Sequence, residues 1–501
     1  MQLINYSLGF IFTLLLTTNL LSAEATIQNS PQQRPNILVV LCDDLGYGDL
    51  ACYGHPVIKS PNIDRFAKEG LTLTSCYSAH PNCSPSRTGL MTGRTPFRVG
   101  VYNWIPMYSP MHVRKQEITI ATLLRQAGYA TCHAGKWHLN GMFNMVGQPQ
   151  PSDHGFDHWF ATQNNALPTH KNPFNFVRNG KPVGNQKGYA AQLVADEAEH
   201  WLTELRDKEK PFFMFVCFHE PHEPIASAER FTKFYSAPKG STLPAHHGNV
   251  TQMDDAFGRI LKTLDDQKLR ENTLIIFTSD NGPAITRRHP HGSSGPLRDK
   301  KGATYEGGIR VPGIIQWPTQ VESGTTSDVP VSGVDILPTL CAVADIPVPG
   351  DRVLDGASIL PLFKGEPVKR TKPLYWQFNR SRNELKVAIR DGDWKLLARL
   401  DVPTPKPSGG ISAQEIDDLK RAKLTGFELY YIKDDIAETT DRSESEPEIL
   451  KQMKQQMQEI YKEVQAEAPR WPAWEFARYE GKILSEYYRK QAELKKKQIE
   501  K

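Results

Sequence analysis

Three apolar runs constrain the fold of this 501-residue chain more than any other feature. They read NILVVL at 36–41, PFFMFVCF at 211–218 and TLIIFT at 273–278, without polar alternation. Such runs are typical of strands buried on both faces of a parallel sheet. Helical patterns separate them, at residues 62–69, 119–127, 190–206 and 250–264. Alternating strands and helices predict an α/β domain with a large, mostly parallel sheet flanked by helices.

The sequence changes in character after about residue 373. The aromatic, alternating runs PLYWQF, LKVAIRDGDWKLLAR and FELYYI are separated by Asn, Gly and Pro, which predicts a small antiparallel sheet with hairpins. Helical patterns follow at 446–466 and, with a basic face, at 485–501. We therefore expect a catalytic α/β domain at 34–370 and a smaller sheet with a helical tail at 371–501.

The first 25 residues have the pattern of a secretory signal peptide. An apolar stretch at 8–21 is short for a membrane-spanning helix and is followed by small residues at 22–25, although no Lys or Arg precedes it. This predicts export to the periplasm or secretion without stable membrane insertion, with an uncleaved or lipid-tethered anchor as the alternative. The net charge of +4 is small for the length and gives no reason to expect a nucleic-acid partner.

Polar side chains follow all three apolar runs. Ligands bind beyond the carboxyl ends of the strands in sheets of this kind, so these residues predict the position of the active site. Their carboxylate and amide oxygens suit calcium or magnesium, and no Cys or His spacing indicates zinc; we favour calcium. The predicted metal ligands are Asp43, Asp44, Asp280 and Asn281.

Basic groups complete the predicted site. Lys136 and His138 stand two residues apart, so an extended segment would direct both to the same side. His222 follows the second apolar run, and Lys301 precedes Gly302 in a glycine-rich loop. A divalent cation surrounded by such groups describes a site for a tetrahedral oxyanion ester.

Cys83 has no evident packing role in the stretch PNCSPSRTGLMTGR, and it is one of seven cysteines, an odd number for an exported chain. The pattern CSPSR with the following TGR resembles the signature of the type I sulfatases. LCDDLGYGDL, AGKWHL, HEPHEP, TSDNGP and KGATYEGGIRVPG occur in that family's order. The resemblance spans roughly residues 34–362 and is strongest to the arylsulfatase A and N-acetylgalactosamine-6-sulfatase branch, including its bacterial forms. It implies an alkaline-phosphatase-like fold.

The resemblance implies that Cys83 is oxidised to Cα-formylglycine (3-oxoalanine) by a formylglycine-generating or an anaerobic sulfatase-maturating enzyme. One hydroxyl of the hydrated aldehyde would attack sulfur and form a covalent sulfate ester on residue 83. The second hydroxyl would then lose its proton and expel sulfate. The modified residue would also be a ligand of the calcium ion.

The resemblance also implies roles for the basic residues. Arg87 and Lys136 would orient the diol, and His138 would accept the proton in the elimination step. His222 and Lys301 would hold the sulfate, and one of them would protonate the leaving group. His219 is the alternative to His222, because both lie two residues before a proline.

Two polar loops, at 161–184 and 287–296, carry the predicted substrate-binding residues Asn164, Asn165, His170, His289 and His291. Their composition suits a sulfated carbohydrate as the substrate. A more specific prediction is that the sulfated sugar is a 6-O-sulfated galactose or N-acetylgalactosamine. The competing hypotheses are a phosphodiesterase or phosphonate hydrolase of the same fold and a non-catalytic protein that binds sulfated glycans.

Overall fold

The three apolar runs form adjacent parallel strands in a computed structural model of the chain, which describes residues 34–405, 409–476 and 479–499. The predicted signal peptide lies outside the described residues. The strands of the described part are β1 Asn36–Asp43, β2 Leu71–Leu73, β3 Cys76–Tyr77, β4 Ala130–Lys136, β5 His158–Thr162, β6 Val177–Arg178, β7 Lys181–Pro182, β8 Phe212–Pro221, β9 Thr273–Ser279, β10 Gly313–Gln316, β11 Thr325–Ser327, β12 Val331–Ser332, β13 Leu374–Gln377, β14 Val387–Asp391, β15 Trp394–Leu400 and β16 Leu424–Tyr431. Its helices are α1 Pro61–Lys68, α2 Cys83–Thr92, α3 Pro96–Val99, α4 Ile120–Gln126, α5 Ala190–His200, α6 Glu229–Thr232, α7 Leu243–Asp266, α8 Glu306–Ile309, α9 Ile336–Val343, α10 Ala413–Arg421, α11 Pro447–Glu467 and α12 Tyr479–Ile499.

A ten-stranded sheet runs through the described chain in the order β11-β2-β10-β9-β1-β8-β4-β5-β6-β7. Its central strands, from β9 to β5, are parallel to one another. Towards the edges, β10 pairs antiparallel with β9, β6 with β5, and β7 with β6. The parallel centre means that the carboxyl ends of β1, β4, β8 and β9 meet at one edge. The predicted fold class is confirmed.

Strand β1 is buried along its whole length, as its apolar run predicted. Successive side chains alternate between the two faces of the sheet. Ile37 and Val39 enter the hydrophobic core on one face, and Leu38 and Val40 enter the core on the other. Each such aliphatic side chain contributes roughly 1.5–3 kcal/mol relative to an exposed one. Burial on both faces leaves only the strand end free to carry polar groups.

Some elements differ from their predicted bounds. Strand β8 continues to Pro221, so His219 lies within the strand rather than after it. The pattern at 190–206 divides into α5 and a π-helical turn, Trp201–Leu205. Tertiary pairing extends β8 beyond its predicted end, and tertiary packing interrupts the helix predicted at 190–206.

The four strands β13–β16 form the small antiparallel sheet expected near the C-terminus. Met453 and Val464 of α11 join the core on one face of this sheet, and Tyr305 and Ile309 pack on its other face. The residues from Pro35 onwards form one compact unit, and the boundary at residue 370 stays a prediction. Within the described residues, no helix is both long and apolar enough to cross a membrane.

A buried ion network joins the small sheet to Glu306, the first residue of α8. Lys395 Nζ of β15 lies 2.9 Å from Glu306 Oε1 and 2.8 Å from Glu438 Oε1, and all three side chains are fully buried. Arg310 also contacts Glu306, at 3.2 Å. Burial opposes ionisation of Glu306, but Lys395 and Arg310 outweigh it and lower its pKa. The network holds the glycine-rich loop at 300–308 against the small sheet.

We predict that Lys395→Ala lowers the free energy of unfolding by about 3–5 kcal/mol, because it leaves two buried carboxylates without their shared cation. Urea denaturation followed by tryptophan fluorescence measures the change. Lys433→Ala is the matched control: its exposed ammonium lies 3.9 Å from Asp393, and its removal should leave the midpoint unchanged. Equal stability of the Lys395 variant and the wild type would contradict the assigned role of the network.

Candidate active site

Cys83 is the first residue of α2, a helix whose ten residues are all buried. The side chain of Asn82 caps the helix by accepting a hydrogen bond from the Cys83 amide at 3.1 Å. Gly93 ends the helix with φ +67°, a conformation that favours glycine. Cys83 therefore sits at a helix N-terminus, where the aligned peptide dipoles favour negative charge.

Arg87 connects this helix to the strand ends. Its Nε donates to Asp280 Oδ2 at 3.0 Å, and its Nη1 donates to the carbonyl oxygen of Lys136 at 2.9 Å. Asp43 Oδ1 lies 3.9 Å from Nη2. With 1% of Arg87 exposed, these contacts replace the water that its guanidinium would otherwise bind.

The four predicted metal ligands come together at the ends of β1 and β9. The Asp44 amide donates to Asp280 Oδ1 at 3.1 Å, and Asn281 Nδ2 donates to Asp44 Oδ1 at 2.7 Å. Asp44 has φ +65°, which turns its side chain back towards β9. The positions agree with the expectation that the carboxyl ends of parallel strands form one site.

Three oxygen atoms in this cluster are buried without a hydrogen-bond donor among the described residues: Asp43 Oδ1, Asp44 Oδ2 and Asn281 Oδ1. Ligand atoms of Asp43, Asp44, Cys83 and His222 all lie within 4.8 Å of one another. Unpaired buried oxygens are costly unless a cation satisfies them. The donor set therefore fits a hard divalent cation.

Two lysines offset the acidic cluster. Lys136 Nζ lies 2.6 Å from Asp43 Oδ2, and Lys301 Nζ lies 2.5 Å from Asp44 Oδ1. Burial acts to raise the pKa of Asp43, but Lys136 and its cationic neighbours hold that pKa well below its ordinary value. Burial acts to lower the pKa of Lys301, but Asp44 outweighs it and raises the pKa. Both groups are therefore charged at neutral pH.

The Cys83 thiol lies within reach of this cluster. Lys301 Nζ is 3.3 Å from Cys83 Sγ. Burial raises the pKa of the thiol to about 12, although Lys136 and Lys301 act in the opposite direction. An unmodified Cys83 would consequently be protonated at neutral pH and would be a poor nucleophile.

The histidines divide into two environments. His222 lies at the site, with Nε2 3.5 Å from Asp44 Oδ2, whereas His219 Nε2 is hydrogen-bonded to Thr162 Oγ1 at 2.7 Å. His138 Nε2 is 3.1 Å from the carbonyl oxygen of Ile105, and burial holds its pKa well below the ordinary value. Of the two histidines left open by the sequence, the geometry favours His222.

A cavity of about 640 Å³ opens above Cys83. His138, His222 and Lys301 line it, together with the predicted substrate-binding residues Asn164 and Asn165. These residues come from separate loops at the carboxyl edge of the sheet, so only folding brings them together.

The other three predicted substrate-binding residues do not line this cavity. His170 is buried, with Nδ1 3.7 Å from Glu220 Oε1. His291 Nε2 contacts Thr242 Oγ1 at 3.0 Å, and His289 lies in the same loop. A polar loop composition could not distinguish the side chains that face the cavity from those that face away.

The cavity also has walls that sequence reasoning did not identify. Trp104, Arg382 and Glu480 line it, and Asn164 Nδ2 donates to Glu480 Oε2 at 3.2 Å. Burial raises the pKa of Glu480 to about 6, although Lys136 and Asn164 act to lower it. Glu480 lies 397 positions after Cys83 in the chain, and no local motif marks either Glu480 or Arg382 as part of the site.

The large sheet, with α2 and a cluster of carboxylates and basic groups at its carboxyl edge, defines an alkaline-phosphatase-like fold. A sequence model of the Sulfatase family matches residues 35–346, and one described as N-sulphoglucosamine sulphohydrolase, C-terminal, matches residues 297–402. The chain belongs to the sulfatase family and is a sulfatase, an enzyme that hydrolyses sulfate esters.

Similar proteins support this assignment. N-acetylgalactosamine-6-sulfatase of Canis lupus familiaris is 34% identical over 390 residues, which are 72% of this chain and 71% of that protein. Arylsulfatase A of Homo sapiens is 32% identical over 455 residues, 84% of this chain and 86% of that protein. Both belong to the branch that the sequence motifs indicated.

Two solved structures bear on the fold. The crystal structure of Ps i-CgsB in complex with k-i-k-neocarrahexaose aligns with a TM-score of 0.75 and 29% identity, covering 90% of this chain and 97% of that one. The phosphonate monoester hydrolase of Agrobacterium radiobacter aligns with a TM-score of 0.60 and 20% identity, covering 87% and 96%, which shows a shared fold alone.

We predict that Ca²⁺ raises the midpoint of thermal unfolding relative to chelator-treated protein, because the ion satisfies the three unpaired oxygens. Binding at 100 times the dissociation constant stabilises the folded state by about 2.7 kcal/mol. Asp44→Asn should abolish the shift, whereas Asp351→Asn, at an exposed carboxylate that pairs with Arg352, should retain it. A shift that survives in the Asp44 variant would place the cation elsewhere.

Proposed function

We propose that this sulfatase releases sulfate from a sulfated carbohydrate, with a 6-O-sulfated galactose or N-acetylgalactosamine as the preferred sugar. The observation that carries the proposal is the cavity: Asn164 and Asn165 provide amides, and Glu480 provides a carboxylate, directly above the oxyanion site. Such groups form hydrogen bonds to sugar hydroxyls. Similarity to N-acetylgalactosamine-6-sulfatases and to a structure holding a neocarrahexaose supports a carbohydrate rather than an aryl substrate.

The proposal includes conversion of Cys83 to formylglycine, whose hydrate supplies a hydroxyl nucleophile; sulfate is transferred to residue 83 and then released. The high thiol pKa supports this, because the unmodified side chain cannot ionise readily in its buried position. The cationic groups of Arg87 and Lys136 interact electrostatically with residue 83 and would orient its oxygens.

Calcium is the proposed ion, since the proposed ligands are side-chain oxygens, and conversion of Cys83 to formylglycine would replace the thiol of the cluster by oxygen. When bound, it would polarise the oxygens of residue 83 and of the sulfate group. Asp43, Asp44, Asp280 and Asn281 would hold it. Lys301 would then turn from Asp44 towards the substrate sulfate, which its ammonium can bind as a second cation.

Proton transfer divides between two histidines in this proposal. The pKa of Lys301 is raised by Asp44, so its ammonium holds its proton too firmly to be an efficient acid. Burial lowers the pKa of His222, although Asp44 and Asp43 oppose the shift, so its imidazolium releases a proton more readily than the Lys301 ammonium. His222 also lines the cavity where the leaving oxygen would lie. His138 is held neutral by burial and can therefore accept the proton that is released when sulfate departs.

Maturation would precede folding. Every residue of α2 is buried, so the CSPSR motif around Cys83 is not accessible in the folded chain. A maturating enzyme could reach Cys83 only in the extended chain.

We propose export to the periplasm or beyond, consistent with the predicted signal peptide.

We predict that matured wild-type protein releases sulfate from at least one sugar in a panel of defined sulfated glycans and that Cys83→Ala releases none, because it lacks the nucleophile. Ion chromatography measures the sulfate, and peptide mass spectrometry should show residue 83 about 18 Da lighter than cysteine. Faster hydrolysis of an aryl phosphodiester than of every sulfate ester would instead favour the phosphodiesterase hypothesis. Full activity with an unmodified thiol would exclude the formylglycine route.

We predict that His222→Ala lowers kcat on a sugar sulfate by about 100-fold or more, because the sugar alkoxide needs a proton as it leaves. The same variant should lose much less on 4-nitrophenyl sulfate, whose phenolate leaves unprotonated. Lys301→Ala is the matched control and should lose activity similarly on both substrates, since binding of sulfate does not depend on the leaving group. Equal losses of the His222 variant on both substrates would exclude His222 as the acid.

A further inference from the structure

A second cavity, of about 860 Å³, adjoins the active-site cavity. The two share three lining residues, Arg380, Thr404 and Pro405, so they are continuous along one wall. Thr404 and Pro405 lie beyond both family matches, which end at residues 346 and 402. The second cavity is therefore formed largely by parts of the chain outside the matched catalytic region.

Aromatic side chains lie at the junction of the two cavities. Trp104 lines the first cavity, and Trp474 and Phe476 line the second. The ring of Phe476 lies 5.3 Å from that of Trp104 and 6.3 Å from that of Trp474. Trp474 is half-buried and so presents part of its ring to the cavity. Flat apolar rings beside polar groups suit sugar rings, which have apolar faces and hydroxyl edges.

The charges of the two cavities differ. The first contains the ammonium of Lys301, which is paired with Asp44, and the guanidinium of Arg382. The described residues provide no ion-pair partner for Arg382. In the second, Arg380 is paired with Glu415 through its Nε at 2.7 Å, which leaves no free cation from this residue.

Carboxylates account for the remaining charge of the second cavity. Asp418 accepts from Gln414 at 2.9 Å and from Arg421 at 2.6 Å. The exposed carboxylate of Glu475 has no hydrogen-bond or ion-pair partner within the described ranges. Because Glu415 and Asp418 are each paired with an arginine, a sulfate group placed here would meet the unpaired carboxylate of Glu475 and no free cation from Arg380, whereas a hydroxyl group would meet hydrogen-bond acceptors.

We propose that the second cavity binds unsulfated sugar residues of the substrate, so that the enzyme acts on a sulfated sugar carried by an otherwise neutral oligosaccharide. The inference rests on the proposed carbohydrate sulfatase function. The sulfated sugar occupies the cavity above residue 83, and the glycan passes Arg380 and Pro405 to pack its next sugars against Trp474. The substrate is thus a sparsely sulfated glycan rather than a uniformly sulfated one.

The test compares kcat/KM for galactose 6-sulfate with kcat/KM for a tetrasaccharide of unsulfated sugars that ends in galactose 6-sulfate. The wild type should prefer the tetrasaccharide, mainly through a lower KM. Trp474→Ala should reduce this preference by about 3- to 10-fold, the effect of losing one aromatic contact. The backbone hydrogen bonds of Trp474 with Ile411 do not involve the indole and should persist. Phe234→Ala, at an exposed ring outside both cavities, should keep the wild-type preference.

A second variant, Glu475→Lys, tests the charge argument at an exposed position where folding is not at risk. It should lower KM for a tetrasaccharide sulfated on every sugar and leave KM for galactose 6-sulfate as in the wild type. An unchanged tetrasaccharide preference in the Trp474 variant, or a wild type that prefers the uniformly sulfated tetrasaccharide, would overturn the inference. Absence of sulfate release from galactose 6-sulfate and from both tetrasaccharides by matured wild type would instead overturn the proposed function.

Discussion

The rest of the site depends on the hydrogen bonds and the ion pair that the buried guanidinium of Arg87 makes. It holds α2, the helix that begins at Cys83, against the end of β9 through Asp280 and against the end of β4 through the carbonyl oxygen of Lys136. A guanidinium that is 1% exposed would be very unfavourable without these partners. Its pairing therefore determines where residue 83 lies relative to the sheet.

The charge balance of the site follows from this arrangement. Three cations, Arg87, Lys136 and Lys301, face three carboxylates, Asp43, Asp44 and Asp280. The cations hold the pKa of Asp43 well below its ordinary value although this carboxyl is buried. A divalent cation added to this set leaves an excess of positive charge, which suits an anionic sulfate ester and the negative charge that develops when its oxygen leaves.

The central strands and the acidic cluster could be predicted because both follow from local rules. An apolar, β-branched run such as β1 has few stable alternatives to a buried strand, and polar residues can stand only at its end. The choice between His219 and His222 could not be made locally, because both precede a proline by two residues. The structure favours His222: β8 extends through His219, whose Nε2 is hydrogen-bonded to Thr162, whereas His222 lies beyond the strand end and lines the cavity.

The sequence by itself determined the sheet, the CSPSR motif and the acidic residues at the strand ends, since each lies in a short segment whose chemistry has one favourable environment. The tertiary structure alone decided which side chains line the two cavities. Glu480 and Trp474 come from the end of the chain, and His170 turns inward although its loop is polar. Contacts between distant segments depend on how the whole chain packs, so a local pattern of residues cannot predict them.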